Sequence, residues 1–361
     1  MPATARLRSS LRLTSLIALA LVAAAATLSA CGVDDEPAAP QLDADGGADV
    51  TDDAAPDTAD DPDAAPDATP DAEADTPEPD PFPATAIVRV QGQFESAEGI
   101  TFNGEGELYV VADTDLWRVR GDGAVEQVAD LGAPVGLASI GPRDILVAEF
   151  GTLAANDDGP NDDGSILRVT PEGDVTVVAT GIGDPNFIYV RRDGSLLVSD
   201  DFTDIIYRVT TDGQTEVFLQ GIQAPNGMVE AVDRSALYVA QTFASLAPLT
   251  FDRRVWRVAL DTDGNPGTPQ LLGEVGGLGA NDGVALDAEG RLYVACNIDG
   301  QVWRIDPADG STLLIAQGIF SVASLAFGEG TWTDTSLFAT QLFGGNVWEI
   351  PVGVGGAELH R

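Results

Sequence analysis

The sequence predicts an all-β fold, a six-bladed β-propeller of four-stranded antiparallel blades. Three observations predict it. A marker of two short apolar strands joined by a turn occurs six times. A second marker, an aromatic or apolar residue followed by Arg-Val, Arg-Ile or Glu-Ile, trails each copy. No stretch keeps a helical apolar period for more than two turns.

The first copy reads Glu98-Gly99-Ile100-Thr101-Phe102, then Leu108-Tyr109-Val110-Val111. Later copies begin at Val135, Asn186, Asn226, Asp282 and Ala323, spaced 37, 51, 40, 56 and 41 residues apart. The second marker is Trp117-Arg118, Leu167-Arg168, Tyr207-Arg208, Trp256-Arg257, Trp303-Arg304 and Trp348-Glu349. Asp122-Gly123, Glu172-Gly173, Asp193-Gly194 and Asp212-Gly213 stand between strands, where tight hairpins need a turn. Four short strands in a unit of this length are a propeller blade. The segment near Ala86–Val90 is expected to join the last blade and close the ring. A stack of separate hairpins would leave long unprotected edges.

Composition removes several kinds of chemistry. The 361 residues carry 58 acids against 18 basic residues, all Arg, for a net charge of −40. Without Lys there is no Schiff-base or P-loop lysine. The one histidine, His360, makes Ser-His-Asp, Cys-His and His-metal sites poor candidates. A sequence pI near 4.1 argues against a nucleic-acid partner, whose phosphates this surface would repel.

The N-terminal region is read separately. Arg6, Arg8 and Arg12 precede an apolar run from Leu16 to Ala26, as in an export signal too short for a comfortable membrane span. Leu28-Ser29-Ala30-Cys31 resembles the bacterial lipoprotein box, which implies lipidation of Cys31. Gly32 after it resembles the signal for outer-membrane sorting. An ordinary signal peptide with an incidental Cys is the alternative. Residues 32–80 hold 18 Asp+Glu, no Arg and no aromatic residue, and so cannot offset their chain entropy by burial. The expected organisation is a signal at 1–30, a lipidated Cys and disordered acidic tether at 31–84, and the propeller at 85–361. Cys296 then has no partner in the chain, and is read as a small buried residue.

In a propeller the first strand of every blade lines the axis, so equivalent residues converge. Those at the start of the first strands are Glu98, Val135, Asn186, Asn226, Asp282 and Ala323. Four of them offer a side-chain oxygen. Such oxygens are costly to bury unpaired, and two carboxylates there repel each other. A divalent cation resolves both problems: Glu98 and Asp282 supply −2, while Asn186 and Asn226 add neutral carbonyl oxygens. All-oxygen ligation favours Ca²⁺, with Mg²⁺ or Mn²⁺ possible and Zn²⁺ less favoured. The competing reading is that these residues only terminate turns. The loops after the second strands of blades 2 and 4, Phe150–Gly164 and Thr242–Arg253, are the longest and are expected to rim the site. Asn156 and Asn161 open two acidic clusters read as solvated loop. Asp261–Asn265 fails the EF-hand pattern and is read as a surface hairpin.

Glu98-Gly99, Pro185-Asn186, Pro225-Asn226-Gly227 and Asp282-Gly283, with Leu292-Tyr293-Val294-Ala295, resemble the SMP-30/gluconolactonase/LRE-like family of six-bladed propellers over about residues 86–352. The resemblance implies one divalent metal on Glu98, Asn226 and Asp282, with Asn186 on metal or substrate. It implies hydrolysis of a small lactone or ester, the metal activating a water and Asp282 acting as general base. Departures are Asp184 where the family carries Arg, Phe187 where it carries Asp, and Ile100 where it carries Pro.

The expectation is therefore a monomeric, metal-dependent hydrolase, meeting the membrane through its lipid anchor only, at the outer membrane or surface of a bacterium. The alternative is a non-catalytic propeller that binds a ligand or protein, its metal structural or absent.

Overall fold

A computed structural model describes residues 82–151 and 162–361. The export signal, Cys31, nearly all of the acidic tether, and Asn156 and Asn161 lie outside the described residues. Among these residues there is no helix. The strands form six four-stranded antiparallel sheets and one two-stranded ribbon.

Each sheet is one blade, and the predicted six-bladed propeller is what the chain forms. The first strands are Ala97–Phe102, Pro134–Ile140, Pro185–Val190, Pro225–Glu230, Asn281–Leu286 and Val322–Phe327. Each touches the first strand of the next blade, and the sixth returns to the first. The predicted closing segment is Ile87–Val90, which pairs antiparallel with Val347–Pro351 as the outer strand of blade 6. The turn signals act as expected: Gly194 sits at φ +82° beside Asp193, whose Oδ1 accepts from the Ser195 amide. Asp261 caps its hairpin by accepting from the amides of Asp263 and Asn265.

The core lies between blades. Alternate residues of each strand face opposite sides of a sheet, so every blade offers apolar side chains to both neighbours. Val284, Leu286, Leu292 and Val294 of blade 5 pack on Val229, Tyr238 and Val255 of blade 4. Tyr293 and Ala295, on the other face of blade 5, pack on Leu337, Ala339 and Ile350 of blade 6. Similar clusters fill the remaining four junctions, including that between blades 6 and 1, where Phe338 and Val347 meet Phe102 and Val110.

One distortion repeats in all six blades. Ladder pairing between the first two strands skips from Pro185↔Asp200 to Ile188↔Val198, three residues against two. The same skip brackets Glu98, Val135, Asn226, Asp282 and Ala323. This is a β-bulge, which turns the bulged side chain away from the pleat. The residue after the bulged one is Gly in four blades, because the next blade's first strand crosses it closely. A Cβ on Gly227 would lie 2.5 Å from the Asp282 carbonyl oxygen.

A second device repeats with it. The residue after each second strand donates its amide to the carbonyl two residues before the bulged position. Asp113 bonds Ser96 in this way, Phe150 bonds Ala133, Asp201 bonds Asp184, Thr242 bonds Ala224, Asn297 bonds Ala280, and Leu342 bonds Ser321. Two columns of side chains, one from the bulge and one from the end of the second strand, thus reach the same face of the ring.

Candidate metal centre

The structure brings Glu98, Asn186, Asn226 and Asp282 together around one small cavity of about 40 Å³. The second column contributes Asp201, Thr242, Asn297 and Leu342. The long loop of blade 4 folds into a ribbon, Phe243–Leu246 with Leu249–Phe251, whose Phe243 and Phe251 complete the wall. Their rings lie 5.9 Å apart. The cavity has room for an ion with one or two waters, on the scale of about 10–15 Å³ per water. The expected rim role of the blade 4 loop is thus met; most of the blade 2 loop lies outside the described residues.

Hydrogen bonds fix the polar groups. The Asn297 amide donates to Asp282 Oδ2 at 3.0 Å. Asn226 and the Gly283 amide also donate to Asp282. Asn186 donates to Asp201. The Thr242 hydroxyl donates to the Asn281 carbonyl at 2.8 Å, which leaves it little freedom toward the cavity. Asn226 lines the cavity, and its carbonyl oxygen is buried and without a partner. Asp201 Oδ1 is orphaned in the same way. Orphaned buried acceptors are rare and costly, and two beside one cavity mark a place for a cation.

The carboxylates show the same frustration. Burial, then the charges of Asp282 and Asp201, push Glu98 well above the usual carboxylate range. Burial pushes Asp282 up to about 7, against the hydrogen bonds from Asn297, Gly283 and Asn226. Burial, then the charges of Asp282, Asp200 and Asp184, push Asp201 up to about 8. No Arg lines the cavity among the described residues.

Among the described residues, no three His, Cys, Asp or Glu side chains form a ready metal cluster. The donor set here is mixed, carboxylates alternating with amide carbonyls. All-oxygen donors of net negative charge, with orphaned acceptors, fit a hard divalent ion such as Ca²⁺. Glu98, Asn186, Asn226 and Asp282 are the residues that would hold it.

The sequence reading missed Asp201, Asn297, Phe243 and Phe251. The first two carried a findable signal. The residue after the second strand, read as a repeat column, is Asp113, Phe150, Asp201, Thr242, Asn297 and Leu342, and it holds polar exceptions like the first column. The departures from the family pattern fall nearby. Asp184 is buried, and Phe187 faces the axial channel on the opposite side of the bulge. Cys296 is free and fully buried, its Sγ 3.3 Å from Asn281 Oδ1.

Comparisons with known proteins agree with this fold. The model of the SMP-30/Gluconolactonase/LRE-like region matches residues 198–340. A gluconolactonase of Zymomonas mobilis is 24% identical over 156 residues, 37% of this chain and 41% of its own length. A 6-deoxy-6-sulfogluconolactonase of Pseudomonas putida is 33% identical over 110 residues, 30% of this chain and 35% of its own. This chain thus spans about two fifths or less of those relatives. The solved structure of a calcium-binding protein, regucalcin, from Agrobacterium tumefaciens superposes with a TM-score of 0.61 at 21% identity, covering 77% of this chain and 97% of that one. At that identity the likeness is one of fold. That match runs from the second strand of blade 3 to the second strand of blade 6, and it is to the family that Glu98-Gly99, Pro185-Asn186, Pro225-Asn226 and Asp282-Gly283 resemble.

Proposed function

We propose that this propeller is a metal-dependent hydrolase of small lactones or esters, with Asp282 as general base. The observation that carries the reading is the orphaned, fully buried acceptor of Asn226 beside two carboxylates that burial makes costly. The lactonase names of the matched relatives support the substrate class. The calcium-binding description of the solved relative supports Ca²⁺ as the ion.

Glu98, Asn186, Asn226 and Asp282 would hold the ion. When bound, it supplies Lewis acidity toward a carbonyl or a water. Asp282 accepts the proton of the attacking water; its carboxylate is held in one orientation by Asn297, Asn226 and the Gly283 amide. Asn186, anchored by Asp201, presents its carbonyl oxygen to ion or substrate. Phe243, Phe251, Ile298 and Leu342 keep bulk water away and strengthen every charge interaction inside. The cavity itself is too small for a lactone ring, so the substrate would meet the ion from the mouth, beside the Phe243–Phe251 ribbon.

The test is turnover of a panel of neutral lactones and esters, with and without EDTA. Asp282→Ala should reduce kcat by about 10²–10⁴-fold, the worth of a general base. An activity that survives this substitution would overturn the assignment.

We also propose, from the sequence, that the domain is exported and held at the bacterial outer membrane by lipid on Cys31, with the acidic segment as spacer.

A further inference from the structure

Asp201 enters this reading only as the anchor of Asn186. It is buried to 4% exposure, it follows the second strand of blade 3, and it lines the same cavity as Asp282. One oxygen accepts from the Asn186 amide, and Oδ1 has no partner. The surroundings offer it no compensation. Asp200 and Asp184 are its acidic neighbours, and no Arg lines the cavity among the described residues. Asp200 accepts through Oδ1 from the amides of Phe202 and Thr203, and its own Oδ2 is buried without a partner.

We propose that Asp201 is a working part of the cation site, positioning Asn186 through one oxygen and adding a third negative charge through the other. The inference rests on the metal-dependent reading above. Glu98, Asp282 and Asp201 sum to −3, so a divalent ion leaves the loaded site at −1. Two consequences follow from charge alone. The ion is held more tightly than two carboxylates and two amides would hold it, because a third buried negative charge beside the site attracts a cation without having to touch it. The loaded site also repels anions, so it takes neutral lactones or esters and rejects substrates carrying carboxylate, sulfonate or phosphate close to the reacting carbonyl.

The experiment uses the folded protein freed of metal with EDTA and then dialysed. Calcium is titrated calorimetrically into wild type and Asp201→Asn, which keeps the shape of the side chain. The variant should bind Ca²⁺ roughly ten- to a hundredfold more weakly, the loss typical for a partner of metal ligands. A second measurement separates this role from a structural one. In EDTA, Asp201→Asn should melt no lower than wild type, because the Oδ1 it alters has no partner there to lose. In saturating Ca²⁺ that order should shrink or reverse. A third arm titrates gluconate, a small anion, into the calcium-loaded proteins, and only the variant should bind it. Equal calcium affinity in the two proteins would overturn the role of Asp201 while leaving the four-residue site standing. A wild type that binds no divalent ion would overturn both readings.

Discussion

Glu349 in the third strand of blade 6 is ion-paired with Arg89, 260 residues earlier in the chain, on the strand that closes the ring. The other five blades carry Arg at the Glu349 position. In blades 1 and 3 that Arg faces a Glu on the fourth strand, Arg118 with Glu126 and Arg208 with Glu216. Blade 6 reverses the polarity, and its fourth strand is the only one not supplied by the next stretch of chain. Cross-strand charge pairs help to set partner and register. The reversed pair therefore marks the closing strand for blade 6 and for no other blade.

Charge reversal tests this. Glu349→Arg should destabilise the fold by about 1–3 kcal/mol, the worth of a hydrogen-bonded charge pair left broken. Adding Arg89→Glu should recover most of the loss. Thermal unfolding of both single variants and the double variant measures the coupling.

Gly227→Ala should be costly although the residue has an ordinary backbone. Its new methyl would press on the Asp282 carbonyl oxygen at 2.5 Å and on the Val284 amide nitrogen at 2.7 Å. Overpacking of this kind costs about 1–3 kcal/mol. Because Asp282 must shift to relieve it, calcium affinity should fall along with the melting temperature.

Metal-free protein should lose stability as pH rises. Glu98, Asp201 and Asp282 all titrate higher in the fold than in the unfolded chain. The folded state therefore holds protons that the unfolded state releases, and this contribution is present in full only at acid pH. It is lost as pH climbs through about 7 for Asp282 and about 8 for Asp201. Carboxylates lowered in the fold, such as Asp252 and Asp193, contribute fully above pH ~5 by the ordinary values, and so do not vary in this window. Calorimetric melts in EDTA from pH 5 to 8 should show a falling melting temperature. Saturating Ca²⁺ should flatten or invert the trend.

Cys31→Ser should release the protein from the membrane fraction if lipid on that residue is its anchor. Fractionation of cells expressing both forms reads this directly. Equal partitioning of the two would leave the N-terminal segment as an ordinary export signal.

The fold was legible in the sequence because a propeller writes itself repeatedly. Six copies of one strand pair and four tryptophans in one column leave little freedom. Glu98, Asn186, Asn226 and Asp282 stood out as polar exceptions in a column whose other members, Val135 and Ala323, are apolar. Asp201 and Asn297 did not, for a physical reason. Asp and Asn are the ordinary residues of turns, and Asp200-Asp201 after a strand looks like a solvated corner until its burial is known. Phe243 and Phe251 were hidden differently. Loop length marked their segment, but the ribbon that aims both rings at the cavity depends on pairing within the loop.

The crossing of each bulge by the following blade has an evolutionary corollary. A blade duplicated or transplanted alone would carry its Asp or Asn but not the neighbour that sets its pose. The smallest heritable piece of this centre is a pair of adjoining blades, so substitutions at Asn226 and around Asp282 should be found changing together.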